Sequence, residues 1–174
     1  MPTRPPPAPP TADELRALQA LIDRSAHTAS PALADSVAFP ERQMRAAELL
    51  DFWHGTGLTA MATVGATGAP HIAPVHAELR GTTLHLVVYE NAVRRDDLSR
   101  DPRVAFTTWR DGAVAILYGR VRALPGSGRA ARPGRSGRPR RVVAIEVALT
   151  RVHAMRAPQR KATAGAAPTF RDRT

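Results

Sequence analysis

From Leu58 to Leu124 the chain alternates apolar, often β-branched positions with polar ones in short runs, each closed by a turn cluster. The runs read LTAMATV, APHIAPVHAEL, TLHLVVY, VAFTTW and AVAILYGRVRAL. A period of two predicts strands, and their close spacing predicts a small antiparallel barrel or sandwich. Asp111-Gly112, set between Trp109 and Ala113, is the strongest hairpin signal, because glycine tolerates the positive φ of primed turns. Gly65-Ala66-Thr67-Gly68 and Arg80-Gly81-Thr82 read as two further hairpin loops. A sixth run, Val142 to Arg156, puts Val143, Ile145 and Val147 on one side and Ala144, Glu146 and Ala148 on the other. The expected architecture is therefore mainly β: six antiparallel strands with N-terminal helices and one short helix between strands.

Helical signals precede the strands. Thr11-Ala12-Asp13-Glu14 is a capping box, in which the Thr11 hydroxyl and the Glu14 carboxylate each serve a free backbone N–H. Leu15, Leu18, Leu21 and Ile22 then fall on one face, which predicts a helix over 12–24. Pro40 suits a first helical position and opens a second helix. Its expected buried face is Met44, Ala47, Leu50 and Trp53, and Gly55 and Gly57 stop it. Residues 1–10 are a proline tract that cannot form a regular hydrogen-bonded element. Residues 25–39 read as a surface loop, 125–141 as an Arg/Gly/Pro loop, and 158–174 as a flexible basic tail. The domain itself is expected over 40–157.

Three stretches, ATVGATGAPHIAPV, YENAVRRDDLSRDPRVAFTTW and LYGRVRAL, resemble the FMN-binding split barrels related to pyridoxamine 5′-phosphate oxidase. In that family an "ATV" strand and a Gly-bounded turn lead to a "GxPxxxPV" strand. A hairpin and a short basic helix of the "SRKxxNLxxDPRV" kind follow. The resemblance covers roughly residues 45 to 157. It implies a Greek-key split barrel, a homodimer with flavin at the interface, and a small-molecule substrate. It also implies an oxidoreductase that passes electrons from a reduced nicotinamide to a small acceptor. Relatives that use a deazaflavin or bind haem leave those cofactors as alternatives, as does a cofactor-binding protein of this fold without turnover. For haem, His153 or a barrel histidine would be the axial ligand. The C-terminal Arg- and His-bearing substrate motif of the oxidases themselves has no clear match.

Charge narrows the choice of partner. The net charge is +10, with 24 Arg and one Lys against 15 acids. Residues 125–174 carry 11 Arg, one Lys and two acids, which is the whole of that excess. Residues 40–124 balance 10 Arg against nine acids. A bias towards Arg, Ala, Pro and Gly also follows from a GC-rich genome. The loop from Arg129 to Arg141 lacks the interleaved aromatics of single-strand binders, so nucleic acid is the less favoured partner. The absence of cysteine excludes disulfides, thiolate metal sites and cysteine nucleophiles. No run reaches membrane-spanning length and MPTRPPPAPP lacks a signal-peptide core, so a cytoplasmic protein without a membrane partner is expected.

Candidate site residues follow. With Asn91 as cap, a helix over 92–99 ended by Asp101-Pro102 puts Arg94 and Arg95 in the first turn, where free N–H groups and the helix dipole favour an anion. The alternative is a solvated helix end with Asp96 and Asp97 as local partners. The resemblance assigns the FMN phosphate to this place. Arg94 matches the family's Lys, while Val93 stands where Arg is expected and Ala92 where Ser is. Pro74 cannot donate within a sheet, so its strand is an edge, a bulge, or a surface for a ligand. The resemblance lays the isoalloxazine ring along Ile72, Ala73, Pro74, Val75 and His76, and adds Val87 and Val88. Trp109 reads either as a stacking partner for the ring or as a half-buried strand aromatic. His71, His76 and His85 lack metal spacing, and no metal site is expected. A two-residue turn at Arg80-Gly81 would set His76 opposite His85. No nucleophile–base set, Walker loop or Rossmann fingerprint occurs, so no catalytic residue is assigned.

Overall fold

Thr11 starts the first helix for a local reason: Glu14 N–H donates to its hydroxyl at 3.2 Å and Thr11 N–H donates back to the Glu14 carboxylate at 2.7 Å. The structure, a computed structural model, describes residues 9–31, 41–123 and 141–157. The expectations for residues 1–8, the loop over 32–39, most of 125–141 and the tail over 158–174 lie outside the described residues. Helix α1 spans Ala12–His27, three residues beyond its expected end. Helix α2 spans Ala46–Thr56, with Gly57 as its C-cap. Seven strands and one short helix follow: β1 (Thr59–Val64), β2 (Pro70–Val75), β3 (Ala77–Arg80), β4 (Thr83–Tyr89), α3 (Val93–Arg100), β5 (Arg103–Arg110), β6 (Ala113–Ala123) and β7 (Val142–Met155). No helix among the described residues is long and apolar enough to cross a membrane.

Pro40 also lies outside the described residues, and the helix that follows it begins at Ala46. Met44 N–H donates to Ala154 O at 3.0 Å and Gln43 bridges Met155, so 43–44 extend the sheet instead of the helix. Arg45 is the N-cap, and its N–H is met by Glu48 at 2.9 Å. The buried face becomes Ala46, Leu49, Leu50, Phe52 and Trp53, and Ala47 turns to solvent.

All strands are antiparallel, in the order β2-β1-β5-β6-β7-β4-β3. Strands β2 and β3 hold opposite ends of this sheet, yet only His76 separates them in the chain. The sheet therefore curls until its two edges meet at one residue, and the barrel is split there. This accounts for seven strands where six were expected: the run from Pro70 to Leu79 is two strands with different partners. The turn after β3 is Gly81-Thr82, so Glu78, not His76, lies opposite His85.

One apolar cluster fills the concave side, with Met61, Phe106, Leu117, Ile145 and Val147 among its fully buried members. Leu18, Leu21 and Ile22 of α1 join it, and Ser25 fastens α1 to β7 by accepting from Val152 N–H at 2.9 Å. Helix α2 is tied to β3 through Trp53, whose indole N–H donates to Ala77 O at 2.9 Å.

Candidate functional site

The short helix α3 lies against the β1–β2 hairpin, held by one carboxylate. Asp97 is wholly buried and accepts from Thr63 Oγ1 at 2.8 Å, His71 Nδ1 at 2.7 Å and Arg100 Nη2 at 2.8 Å. Burial pushes this carboxyl up, but the His71 and Thr63 hydrogen bonds and the charges of His71 and Arg100 outweigh it and hold it below the ordinary range. Asp97 thus joins an element of the helix to a residue of each hairpin strand.

Arg94 sits three residues before Asp97, so both share the helix face that meets the hairpin. Arg94 and Arg95 occupy the first turn, as expected, although the cap differs: Ala92, with no side-chain cap, takes the place assigned to Asn91. Arg95 N–H donates to Ala92 O at 2.8 Å. The N–H groups of Val93 and Arg94 are of the kind a helix leaves without an internal partner. The Arg94 guanidinium makes no ion pair among the described residues.

Strand β2 is an edge: it pairs with β1 on one side only. Ile72 and Pro74 face outward, Ile72 being 72 % exposed, while Ala73 and Val75 face the core. His76 forms the kink and its Nδ1 donates to Gly57 O at 2.8 Å. On β4 the outward Val87 is exposed and Val88 is buried, so Val88, like Val75, could meet a ligand only through its main chain. Trp109 is 68 % exposed, which sets aside the half-buried alternative. It stands at the end of β5 remote from α3, about 20 Å along the strand from Arg103. The structure therefore brings α3, through Asp97, to the start of β2, with Arg94 and Arg95 in the first turn of that helix, and leaves Trp109 at the far end of β5.

The histidines scatter. His71 serves Asp97, His76 serves Gly57, and His85 approaches Glu146 at 3.8 Å. His153 is buried edge-on against Tyr118, and burial first, then the Arg151 charge, lowers its pKa. The His71–Asp97 pair escaped the reading of the sequence, which weighed His71 only as a metal ligand and Asp97 only as a local partner for arginine. A signal was present: with Arg94 at the Lys of the "SRKxxNLxxDPRV" pattern, Asp97 falls where that pattern has Asn.

The comparisons with known proteins agree with this architecture. The sequence profile of the family described as pyridoxamine 5′-phosphate oxidase matches residues 46–156. A comparison with curated proteins returned no match. Among solved structures, a conserved hypothetical protein of Mycobacterium tuberculosis superposes with a TM-score of 0.51 at 16 % identity, covering 66 % of this chain and 86 % of that one. An FAD-binding protein of Mesorhizobium loti gives a TM-score of 0.50 at 14 % identity, covering 66 % of this chain and 96 % of that one. At such identities the structures speak for the fold alone. The profile, matching more than half of the chain across the whole span from α2 to β7, is more specific, and by it the chain belongs to the pyridoxamine 5′-phosphate oxidase family.

Proposed function

We propose that this chain binds FMN between α3 and β2 and works as a homodimeric flavin-dependent oxidoreductase. The observation that carries the reading is the uncapped start of α3, where Arg94 lies on the face that Asp97 and His71 fasten to β2. An anion there meets a guanidinium and backbone N–H groups already oriented by the helix. Those features fit a phosphate. Val93 stands where the family pattern has Arg, so of the pattern's two cations only the one at Arg94 is kept in place, with Arg95 beside it. The FAD-binding protein of Mesorhizobium loti is a precedent for a flavin on this fold.

In this reading the phosphate rests on Arg94 and Arg95, and the ring lies along the free edge of β2. Pro74 lacks an N–H there, so that edge cannot be completed by a further regular strand. When bound, the flavin would supply hydride acceptance from a reduced nicotinamide and delivery of electrons to a small acceptor. Ile72 would offer an apolar surface, and main-chain groups of 72–76 would meet the ring's polar edge. Haem held through His153 finds less support, because that ring is buried beside Tyr118.

The test is spectroscopic. Purified protein is expected to show the visible bands of a flavin, or to quench added FMN to saturation at one per subunit. Arg94→Ala removes a charge-assisted contact and is expected to weaken FMN about ten- to a hundredfold while leaving the far-ultraviolet circular dichroism unchanged. Folded protein that neither carries nor quenches a flavin overturns the proposal, and a deazaflavin or haem spectrum replaces the cofactor.

A further inference from the structure

The start of α1, the middle of α2 and the end of β3 enclose a cavity of about 580 Å³ that none of β2, β4 or α3 lines. Its floor is Leu50 and Leu79, both buried, and Pro9 and Pro10 form a wall beside Ala47. Its edge carries Glu14, Asp51, His54 and Arg80. The volume falls in the range of small-molecule sites, and so does the arrangement of an apolar floor with a few polar groups.

We propose that this cleft binds a small organic cation, a primary amine carried on an apolar body. The charges argue for it. Arg80 is held by Glu78, its Nε lying 2.6 Å from a Glu78 oxygen, so the guanidinium is already answered. Glu14 stays ionised: its hydrogen bonds with the Thr11 backbone and side chain hold its carboxyl below the usual range, helped by Arg80. Asp51 has no hydrogen bond or ion pair among the described residues. The cleft is thus acidic in a chain whose net charge is +10, against the trend of the whole molecule.

His54 supplies the second contact. Its Nε2 lies 3.0 Å from Leu79 O, and a carbonyl only accepts, so Nε2 carries the proton. In the neutral ring Nδ1 is then an acceptor. Asp51 and His54 are three residues apart on α2 and so stand side by side on one helix face. An ammonium on Asp51 with a second N–H on His54 matches that pair, and the apolar body would lie on Leu50, Leu79 and the proline rings.

Tryptamine is the probe, with tryptophol as its uncharged counterpart, followed by titration calorimetry of the full chain at low salt. Tryptamine is expected to saturate one site per chain, and tryptophol to bind at least about tenfold more weakly. Asp51→Asn removes the charge at an exposed position and should weaken tryptamine by at least about tenfold. Ala47→Trp, also at an exposed position, fills the cleft and should abolish binding. Neither change should alter FMN affinity, so failure here is separate from failure of the flavin reading. Absence of saturation at millimolar tryptamine overturns the proposal. So does equal binding of tryptophol, or binding that Asp51→Asn and Ala47→Trp leave intact.

Discussion

Asp97 concentrates the chemistry of the site in one side chain. Three donors converge on a carboxylate that has no contact with water. Replacing it with Ala strands those donors unequally. The side chains of His71 and Arg100 are about half exposed and regain water, whereas the Thr63 hydroxyl stays buried without an acceptor. Asp97→Ala is therefore expected to cost about 1–3 kcal/mol, the range for one stranded buried group and less than for a buried ion pair broken outright. Asp97→Asn should cost less, since its amide oxygen can still accept from Thr63 and its N–H can donate to His71 in the other tautomer. The pH dependence follows from the lowered folded-state pKa. Stability from Asp97 is present above the ordinary aspartate value of 3.8 and is lost as pH falls through the lower folded value. Asp101, which Arg103 holds down to about 2, acts in the same direction. Urea unfolding of Asp97→Ala and parent should thus show a gap that is present at neutral pH and narrows below about pH 4. A gap that widens on acidification would contradict this account of the site.

At the scale of elements, the legible features were those fixed within a few residues. The Asp111-Gly112 turn has φ of 52° and 79° at its two positions, the paired positive values a primed hairpin turn needs. The alternating faces of β7 and the capping box of α1 are equally local. The division of β2 from β3 was not legible, because the alternation in IAPVHAEL runs through the kink at His76 without a break. What separates the two strands is their partners, β1 for one and β4 for the other, and pairing across the sheet leaves no local mark. The start of α2 was hidden for a related reason, since Gln43 and Met44 are drawn to the end of β7. The position of Arg94 and Arg95 in the first turn of α3 could be read from the sequence, whereas the Asp97–His71 bond, spanning 26 residues, could not. Gly119 gives a test at this scale. It sits at a register shift between β6 and β7, where an added Cβ would lie 2.5 Å from a Val147 methyl and 2.7 Å from Ala148 O. The methyl could rotate away but the backbone oxygen could not. Gly119→Ala is expected to cost about 1–3 kcal/mol, read as a lower urea midpoint with an unchanged slope.

The whole molecule poses the question of what covers its outer face. By register, Pro74, Ala60, Thr107 and Ile116 form one row across β2, β1, β5 and β6, and Ile72, Ala62, Ala105 and Tyr118 form the next. Small side chains stand at the centre, with Pro74 and Ile72 on one side and Ile116 and Tyr118 on the other, the Tyr118 ring lying under Arg151; Ile72, Leu58 and Trp109 are more than half exposed. Contiguous apolar area of this kind on a single protomer marks an interaction site, and a self-complementary face suits a two-fold pair. Charge does not oppose the pairing, because residues 40–124 carry 10 Arg against nine acids and the excess lies beyond them. The dimer of the proposed function is therefore expected to close on these rows, placing the Trp109 that stands apart from its own α3 at the boundary with the partner. Sedimentation equilibrium should give twice the chain mass of 18.7 kDa at micromolar concentration. Ala105→Glu puts an unpaired charge at the centre of the face and, at several kcal/mol for such a burial, should raise the dimer Kd by at least about a hundredfold. Its outward position predicts little change in the stability of the protomer, within about 0.5 kcal/mol. Loss of FMN together with the dimer would locate the flavin between subunits, and full retention by a stable monomer would place the site within one. A parent protein of single-chain mass would leave the apolar rows needing another cover.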